Sequence, residues 1–241
     1  MRAFAKTDVG KQRETNEDYY YISDVNDDIK VFILADGMGG YNGGEIASRL
    51  ATTSALSYIK SNFENTPKDK DDILNLVKSA MEYANMVVYE KSKNEQELSE
   101  MGTTLEVCLI YNNKAYIGHV GDSRTYRIRK DFIRKLTHDH SYVQKLVKDG
   151  TITEEEAENH PKKNMLMKAL GCTAFVEPDV TVKGFIKDDI ILMCSDGLTN
   201  MLSDEEIFEI IKTQGTLSAD KLIEEANNKG GYDNVTAIVI R

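Results

Sequence analysis

Tryptophan is absent from this 241-residue sequence, and cysteine, proline and histidine are scarce, with three, three and four residues. The cysteines at 108, 172 and 194 are far apart, odd in number and without a CxxC step, so neither a disulfide framework nor a zinc–thiolate site is expected. That usage suits a reducing compartment. Basic excess is missing too: 30 Lys+Arg stand against 40 Asp+Glu, a net charge of −10 that would repel nucleic-acid phosphates. No basic block or aromatic-interleaved basic stripe offsets it, and nucleic acid is excluded as the expected partner. No apolar run approaches the roughly 18 residues that a membrane span needs, and Met1-Arg2-Ala3-Phe4-Ala5-Lys6 carries no signal-like apolar stretch. The expectation is a soluble, unexported, cytoplasmic chain.

What is present is a 41% hydrophobic complement, enough for the core of one domain spanning 1–241. There is no internal repeat or low-complexity tract. Runs rich in Val, Ile, Tyr and Thr predict strands at 18–25 and 29–35, the second stopping at Asp36-Gly37. A helix is predicted over 44–63 and another over 71–93, where Ile73, Leu74, Val77, Met81, Ala84 and Val88 make one apolar stripe. Four strands follow, at 103–111, 114–120, 125–129 and 132–136, and read as an antiparallel meander. The segment 141–174 turns polar and helical, with Gly150 between two short helices and Thr153 as an N-cap before three glutamates; it reads as an inserted lid. A strand pair at 180–186 and 189–194, helices at 203–213 and 218–229, and a strand at 235–240 complete the chain. Strands in runs and helices in pairs favour an α+β fold, an α–β–β–α sandwich of two mainly antiparallel sheets, over a doubly wound parallel sheet.

Chemistry is suggested by aspartates at the ends of apolar runs or beside glycine: Asp36, Asp122, Asp196 and Asp233. A lone Asp-Gly is usually a turn. Four such aspartates in strand-associated contexts can converge, and gathered carboxylates repel one another unless a cation sits among them. An all-oxygen set without thiolates points to a hard ion, Mg²⁺ or Mn²⁺.

The segments Arg13-Glu14-Thr15-Asn16-Glu17-Asp18, Ala35-Asp36-Gly37-Met38-Gly39-Gly40, Gly102-Thr103-Thr104, Val120-Gly121-Asp122-Ser123-Arg124, Ser195-Asp196-Gly197-Leu198 and Gly231-Tyr232-Asp233-Asn234-Val235-Thr236 resemble, in order and spacing, the motifs of the protein phosphatase 2C family of metal-dependent phosphatases. His160-Pro161-Lys162-Lys163-Asn164 and Lys168-Ala169-Leu170-Gly171 resemble the family's bacterial branch, which opposes membrane-anchored serine/threonine kinases. The resemblance implies two core Mn²⁺ or Mg²⁺ ions, bridged by Asp36. It implies that the Gly37 carbonyl binds one of them, that Asp196 and Asp233 complete the ligand set of the second ion with Glu17 contacting it directly or through water, and that Asp122 with Asp196 holds a weaker third ion. Asp18 and Asn234 are implied as the residues that support these ligands from behind, and Arg13 as the phosphate-binding arginine.

The activity implied is hydrolysis of phosphoserine and phosphothreonine esters by in-line attack of a metal-bridging water, without a phosphoenzyme. The implied partners are phosphorylated proteins, including a cognate kinase and its targets, and a monomer is expected. One departure stands out: many eukaryotic members carry a histidine, proposed as general acid, where this sequence has Met38. His119, His138, His140 and His160 match no motif position and read as structural or solvated. The glycine run 37–44 lacks the GxxxxGK[ST] pattern of a nucleotide loop. Cys194 reads as a buried thiol without a thiol-phosphatase signature around it, and Ser123 and Ser195 lack a neighbouring histidine. A metal-dependent nuclease would want a basic groove. The other reading carried forward is a catalytically silent phosphoprotein-binding module, which would be expected to have lost one of Asp36, Asp196 or Asp233.

Overall fold

The computed structural model describes residues 1–27, 29–39 and 43–241. In chain order the elements are β1 (Ala3–Asp8), β2 (Asp18–Ile22), β3 (Lys30–Met38), α1 (Gly43–Asn62), α2 (Lys70–Asn94), β4 (Gly102–Thr103), β5 (Leu105–Tyr111), β6 (Lys114–Val120), β7 (Arg124–Arg129), β8 (Phe132–Lys135), α3 (Tyr142–Lys148), α4 (Glu154–Glu158), β9 (Asp179–Gly184), β10 (Ile190–Cys194), α5 (Asp196–Thr199), α6 (Asp204–Gln214), α7 (Ser218–Asn228) and β11 (Val235–Ile240). One sheet runs β1-β11-β10-β7-β8 and the other β2-β3-β5-β6-β9, with β4 paired to β3. Every pairing is antiparallel.

Strand periodicity explains the layering. On β3, Val31, Ile33 and Ala35 face α1 and α2, while Phe32 and Leu34 face the opposite sheet. On β11, Val235, Ala237 and Val239 pack under α6 and α7, while Ile238 and Ile240 enter the space between the sheets. Both faces of these strands are buried, so they read as continuous apolar runs rather than alternating ones. Three cores result, helix on sheet, sheet on sheet and sheet on helix, which is the expected α–β–β–α sandwich.

Within that architecture several local expectations change. The four central strands are two hairpins in different sheets: β5 and β6 in one, β7 and β8 in the other, and the chain crosses between sheets through Gly121-Asp122-Ser123. Likewise β9 and β10 do not pair with each other; β9 joins β6 and β10 lies between β7 and β11. β3 does not stop at Asp36 but runs to Met38, because Gly37 and Met38 pair with Thr103 and Gly102 of β4. β1 and the short α5 were not foreseen. β1 alternates too weakly to stand out, and its pairing with β11, 229 residues away at the contact between Thr7 and Thr236, is non-local. Gly40, the last residue of one motif, lies outside the described residues.

Candidate active site

Two of the Asp-Gly steps, Asp36-Gly37 and Asp196-Gly197, are not turns. Gly37 lies within β3, and a Cβ there would sit 2.1 Å from the Gly44 carbonyl oxygen and 2.6 Å from that of Glu17. Its N–H donates to the Glu17 carbonyl at 3.1 Å. Gly197 lies within α5, and a Cβ there would fall 2.0 Å from the Asn234 carbonyl oxygen. In both places glycine lets a neighbouring backbone close onto the residue after an aspartate. The consequence is that Glu17 and Asp233 are carried up to Asp36 and Asp196.

Asp36 is held through its main chain. Its N–H donates to Thr104 Oγ1 at 2.9 Å, and its carbonyl accepts from Thr104 N and Thr103 Oγ1, both at 2.9 Å. Thr104 Oγ1 also meets Ser123 Oγ at 2.8 Å. The Gly102-Thr103-Thr104 motif is therefore a clamp on Asp36. Asp18, opposite Asp36 in the β2–β3 register, is buried; its Oδ2 accepts from Ser195 Oγ at 2.8 Å and Thr236 Oγ1 at 2.6 Å. Ser195 gives its proton to Asp18 and accepts from Thr236 N at 2.9 Å, which makes it a brace between sheets rather than a nucleophile.

Asn234 gathers the N-terminal loop. Its Oδ1 accepts from Glu17 N at 2.8 Å, and its Nδ2 donates to the carbonyls of Val9 at 3.0 Å and Thr15 at 2.9 Å. Glu17's carboxylate lies against Gly44 in the first turn of α1, where a Cβ would come 2.6–2.8 Å from it. Arg13 pairs with Asp233 through Nη2 and Oδ2 at 2.8 Å, and Asp196 accepts from Asn200 Nδ2 at 3.0 Å.

These carboxylates act on one another. Burial, and then Asp18, Asp196, Asp122 and Asp233 in turn, push Asp36 well above the usual carboxylate range. Burial followed by the repulsion of Asp196 and Asp233 lifts Asp18 to about 7, against the hydroxyls of Thr236 and Ser195. Asp122 also rises to about 7, from burial and from Asp196 and Asp139. Asp196 is raised by burial and Asp233, and Glu17 by burial and Asp233, with Arg13 opposing. Asp18 Oδ1 is buried without a hydrogen-bond partner. A divalent cation among these oxygens would remove the conflict, and the donor chemistry fits Mn²⁺ or Mg²⁺. Among the described residues no three His, Cys, Asp or Glu side chains are gathered tightly enough to hold an ion on their own.

All the aspartates singled out from the sequence thus lie in one cluster, with Glu17, Gly37, Asn234 and Arg13 around it. Residues whose roles went unread are Gly44, Thr103, Thr104, Ser195, Gly197 and Thr236; each stands inside or beside a recognised motif, which was the available signal. Met38 packs over β4, its Cε 2.7 Å from where a Cβ on Gly102 would lie. Cys108 and Cys194 are buried thiols with pKa pushed up by burial. From Asp122 and Asp196 a cleft of about 790 Å³ extends between Val143, Gln144 and Ala157 on one side and Ser203 and Glu206 on the other.

Aspartates meeting where the ends of two antiparallel sheets come together, with an arginine at the rim and an open cleft beside them, place the protein among hydrolases that work with divalent ions. More narrowly, the chain belongs to the protein phosphatase 2C family, whose family model matches residues 10–226. It is 39% identical to serine/threonine phosphatase stp of Listeria innocua, the match covering 100% of this chain and 95% of that protein. The fold superposes on the serine/threonine phosphatase PstP/Ppp of Mycobacterium tuberculosis with a TM-score of 0.88 at 37% identity, covering 99% of this chain and 97% of that one. It also matches the catalytic domain of PstP in complex with two manganese ions, with a TM-score of 0.85 at 36% identity, covering 99% and 96%.

Proposed function

We propose that this protein is a metal-dependent phosphoserine/phosphothreonine protein phosphatase that hydrolyses phosphate monoesters. The observation that carries the reading is the aspartate cluster around Asp36, where burial and the neighbouring carboxylates of Asp18, Asp196, Asp122 and Asp233 push Asp36 well above the usual carboxylate range. Asp36, the Gly37 carbonyl, Asp196, Asp233 and Glu17 would hold two Mn²⁺ or Mg²⁺ ions, and Asp122 with Asp196 a weaker third. Bound there, such ions supply an acidified water as nucleophile and neutralise charge on the phosphoryl group.

The chain's own residues do the positioning. Arg13, half-exposed and held at the rim by Asp233, offers its remaining N–H groups to phosphate oxygens, for which a planar fork suits better than a lysine. Asn234 fixes the loop that carries Arg13 and Glu17, and Asp18, braced by Ser195 and Thr236, stands behind Asp36. Residues 1–241 form one phosphatase domain with a lid inserted at about 141–174, and the cleft beneath that segment is where the protein part of a substrate lies. Phosphorylated proteins, among them a cognate serine/threonine kinase and its targets, are the partners. The protein works as a monomer in the cytoplasm; three free cysteines agree with a reducing compartment, and no helix among the described residues is long and apolar enough to cross a membrane. No observation favours the silent binding module, since every carboxylate of the set is in place.

The test is hydrolysis of p-nitrophenyl phosphate and of a phosphothreonine peptide by metal-stripped protein, with Mn²⁺ and Mg²⁺ titrated back. Activity returns with metal, and Asp196→Ala loses it by about 100-fold or more, since even residues that only orient metal ligands are worth about 10–100-fold. Folded protein inactive with either ion would overturn the assignment.

A further inference from the structure

Between β7 and β8 the register sets two like charges directly across from each other, Arg127 on one strand and Arg134 on the other. Opposed cations on an antiparallel pair repel. Both side chains lie on the face turned toward the second sheet. Tyr126 and Ile128, the neighbours of Arg127, pack into the core under α6 and α7, while Leu136, two residues beyond Arg134, packs against the core between the sheets. Arg129 is the third cation of this face. From the other sheet β9 adds Lys183, opposite Ala115 of the same inter-sheet core. Since β8 and β9 are the edge strands of their sheets, these cations stand at an open side of the sandwich.

Counter-charge is scarce there. Asp189 is buried and spends both oxygens on Arg129, Oδ1 on Nε and Oδ2 on Nη2, each at 2.6 Å; Oδ2 also accepts from Ile186 N at 2.8 Å. Among the described residues Arg129 with Asp189 is the ion pair of this face, and Arg127, Arg134 and Lys183 have none. Arg127 reaches the Gly184 carbonyl through Nη1 at 3.4 Å, an oxygen that Arg129 Nη2 already occupies at 3.1 Å. Its Nε is buried without a partner. Burial and the repulsion of Arg129, with Arg134 adding and Asp189 opposing, lower its pKa. Two guanidinium groups with unspent donors beside an ammonium are the donor set that a phosphate takes, its paired oxygens matching an arginine fork. A phosphoryl group, with about 1.5 to 2 negative charges at neutral pH, also answers the surplus of three unpaired cations better than a single carboxylate would.

We propose that Arg127, Arg134 and Lys183 form an accessory anion site that binds a phosphate group at the open side of the sandwich. Five residues of nearly extended chain, about 15 Å, separate Arg127 from Asp122, so this phosphate is not the one that Arg13 would hold. Inorganic phosphate and a phosphoryl group carried on a protein present the same oxygens to these donors. The accessory site and the carboxylate cluster share no residue, so the outcome below does not depend on whether the cluster holds metal.

The experiment uses the full chain, metal-stripped and carrying Arg13→Ala so that the hydrolytic site is disabled. Inorganic phosphate and, separately, a phosphothreonine peptide are titrated in at constant ionic strength set with chloride, and the arginine Nε–H signals are followed by NMR. The Arg127 signal, assigned by its loss in Arg127→Gln, is expected to move and saturate with phosphate and not with chloride. Arg134→Gln, at an exposed position, weakens that response about tenfold or more, the worth of a charge-assisted hydrogen bond, and Arg134→Lys, which keeps the charge without the fork, weakens it less. Should Arg127→Gln fail to fold, the Arg134 signal, assigned by Arg134→Gln, carries the same test. Saturation by the peptide at lower concentration than by phosphate identifies the protein-borne group as the ligand, and the reverse identifies the free ion. No saturable shift with either probe, an equal shift with chloride, or an unchanged response in Arg134→Gln overturns the proposal; the arginines then do no more than guard the edge strand β8 against pairing with another chain.

Discussion

Gly197 and Gly184 offer a matched pair for asking how tightly the site is built. Alanine is the better helix former by up to about 1 kcal/mol, so in α5 propensity alone would make Gly197→Ala stabilising. The Cβ would nonetheless meet the Asn234 carbonyl at 2.0 Å, and that oxygen belongs to backbone that cannot swing aside. We expect Gly197→Ala to cost about 3 kcal/mol, the upper part of the usual overpacking range, and to weaken Mn²⁺ binding by displacing Asp233. Gly184→Ala, with nothing within 4 Å, should stay within about 0.5 kcal/mol. Chemical denaturation of both variants checks this, and an unperturbed Gly197→Ala would mean that the close approach is not required. The aspartates themselves were legible in the sequence because their motifs keep a fixed order. Their supports were not: that Thr104 clamps Asp36 from 68 residues away, or that Ser195 braces Asp18 from 177, depends on contacts no local pattern encodes.

The elements divide in the same way. Boundaries of α1, α2, α6, α7, β6 and β11 follow from periodicity and caps, as in the Ser203–Glu206 capping box that opens α6. Which sheet a strand joins does not, since β7 and β9 are equally apolar candidates for either, and the meander expected from short turns became two hairpins in two sheets. The inserted segment shows what such placement adds. Leu170 is fully buried and exchanges backbone bonds with Thr103, at 2.8 and 3.1 Å, so the stretch after 165 belongs to the body that holds Asp36. The part that can be removed is therefore 143–164, above the paired Tyr142 and Met165. Replacing it by a short glycine–serine link should lower kcat/KM on a phosphoprotein at least about tenfold more than on p-nitrophenyl phosphate, the worth of roughly 1.4 kcal/mol of remote binding. Equal losses on both substrates would remove the segment from substrate choice.

For the molecule as a whole, the cluster sits on the joint between the sheets, with Asp18 of β2 bonded to Ser195 and Thr236 beside β10 and on β11. Its charge therefore bears on global stability. A carboxyl whose pKa is raised in the folded state, from its ordinary 3.8 to about 7 in Asp18 and Asp122, is bound more strongly by its proton there than in the unfolded chain. The stability it contributes is full below about pH 4 and is lost as pH rises through about 7. Asp36 and Asp196 act in the same sense, as does His119, which Glu106 holds protonated to higher pH against the effect of burial. His140 opposes them: lowered to about 4 by burial and His119, it costs stability as pH falls below its ordinary 6.5. Asp139 and Asp179, whose pKa values are lowered, lose their contribution only on the acid side of 3.8. Between pH 5 and 7.5 the raised carboxyls outnumber the single opposing imidazole, so metal-stripped protein should melt at progressively lower temperature as pH rises. Saturating Mn²⁺ should reverse that slope, because the cation takes the place of the protons; at 100 times Kd one site adds about 2.7 kcal/mol, or about 5–10 °C in Tm for a chain of this size. Melting curves of stripped and Mn²⁺-loaded protein across that pH range decide the matter. A stripped protein whose Tm is flat or climbs with pH would show that the carboxylates are not held in mutual conflict, and with that the physical case for a cation at their centre would fall.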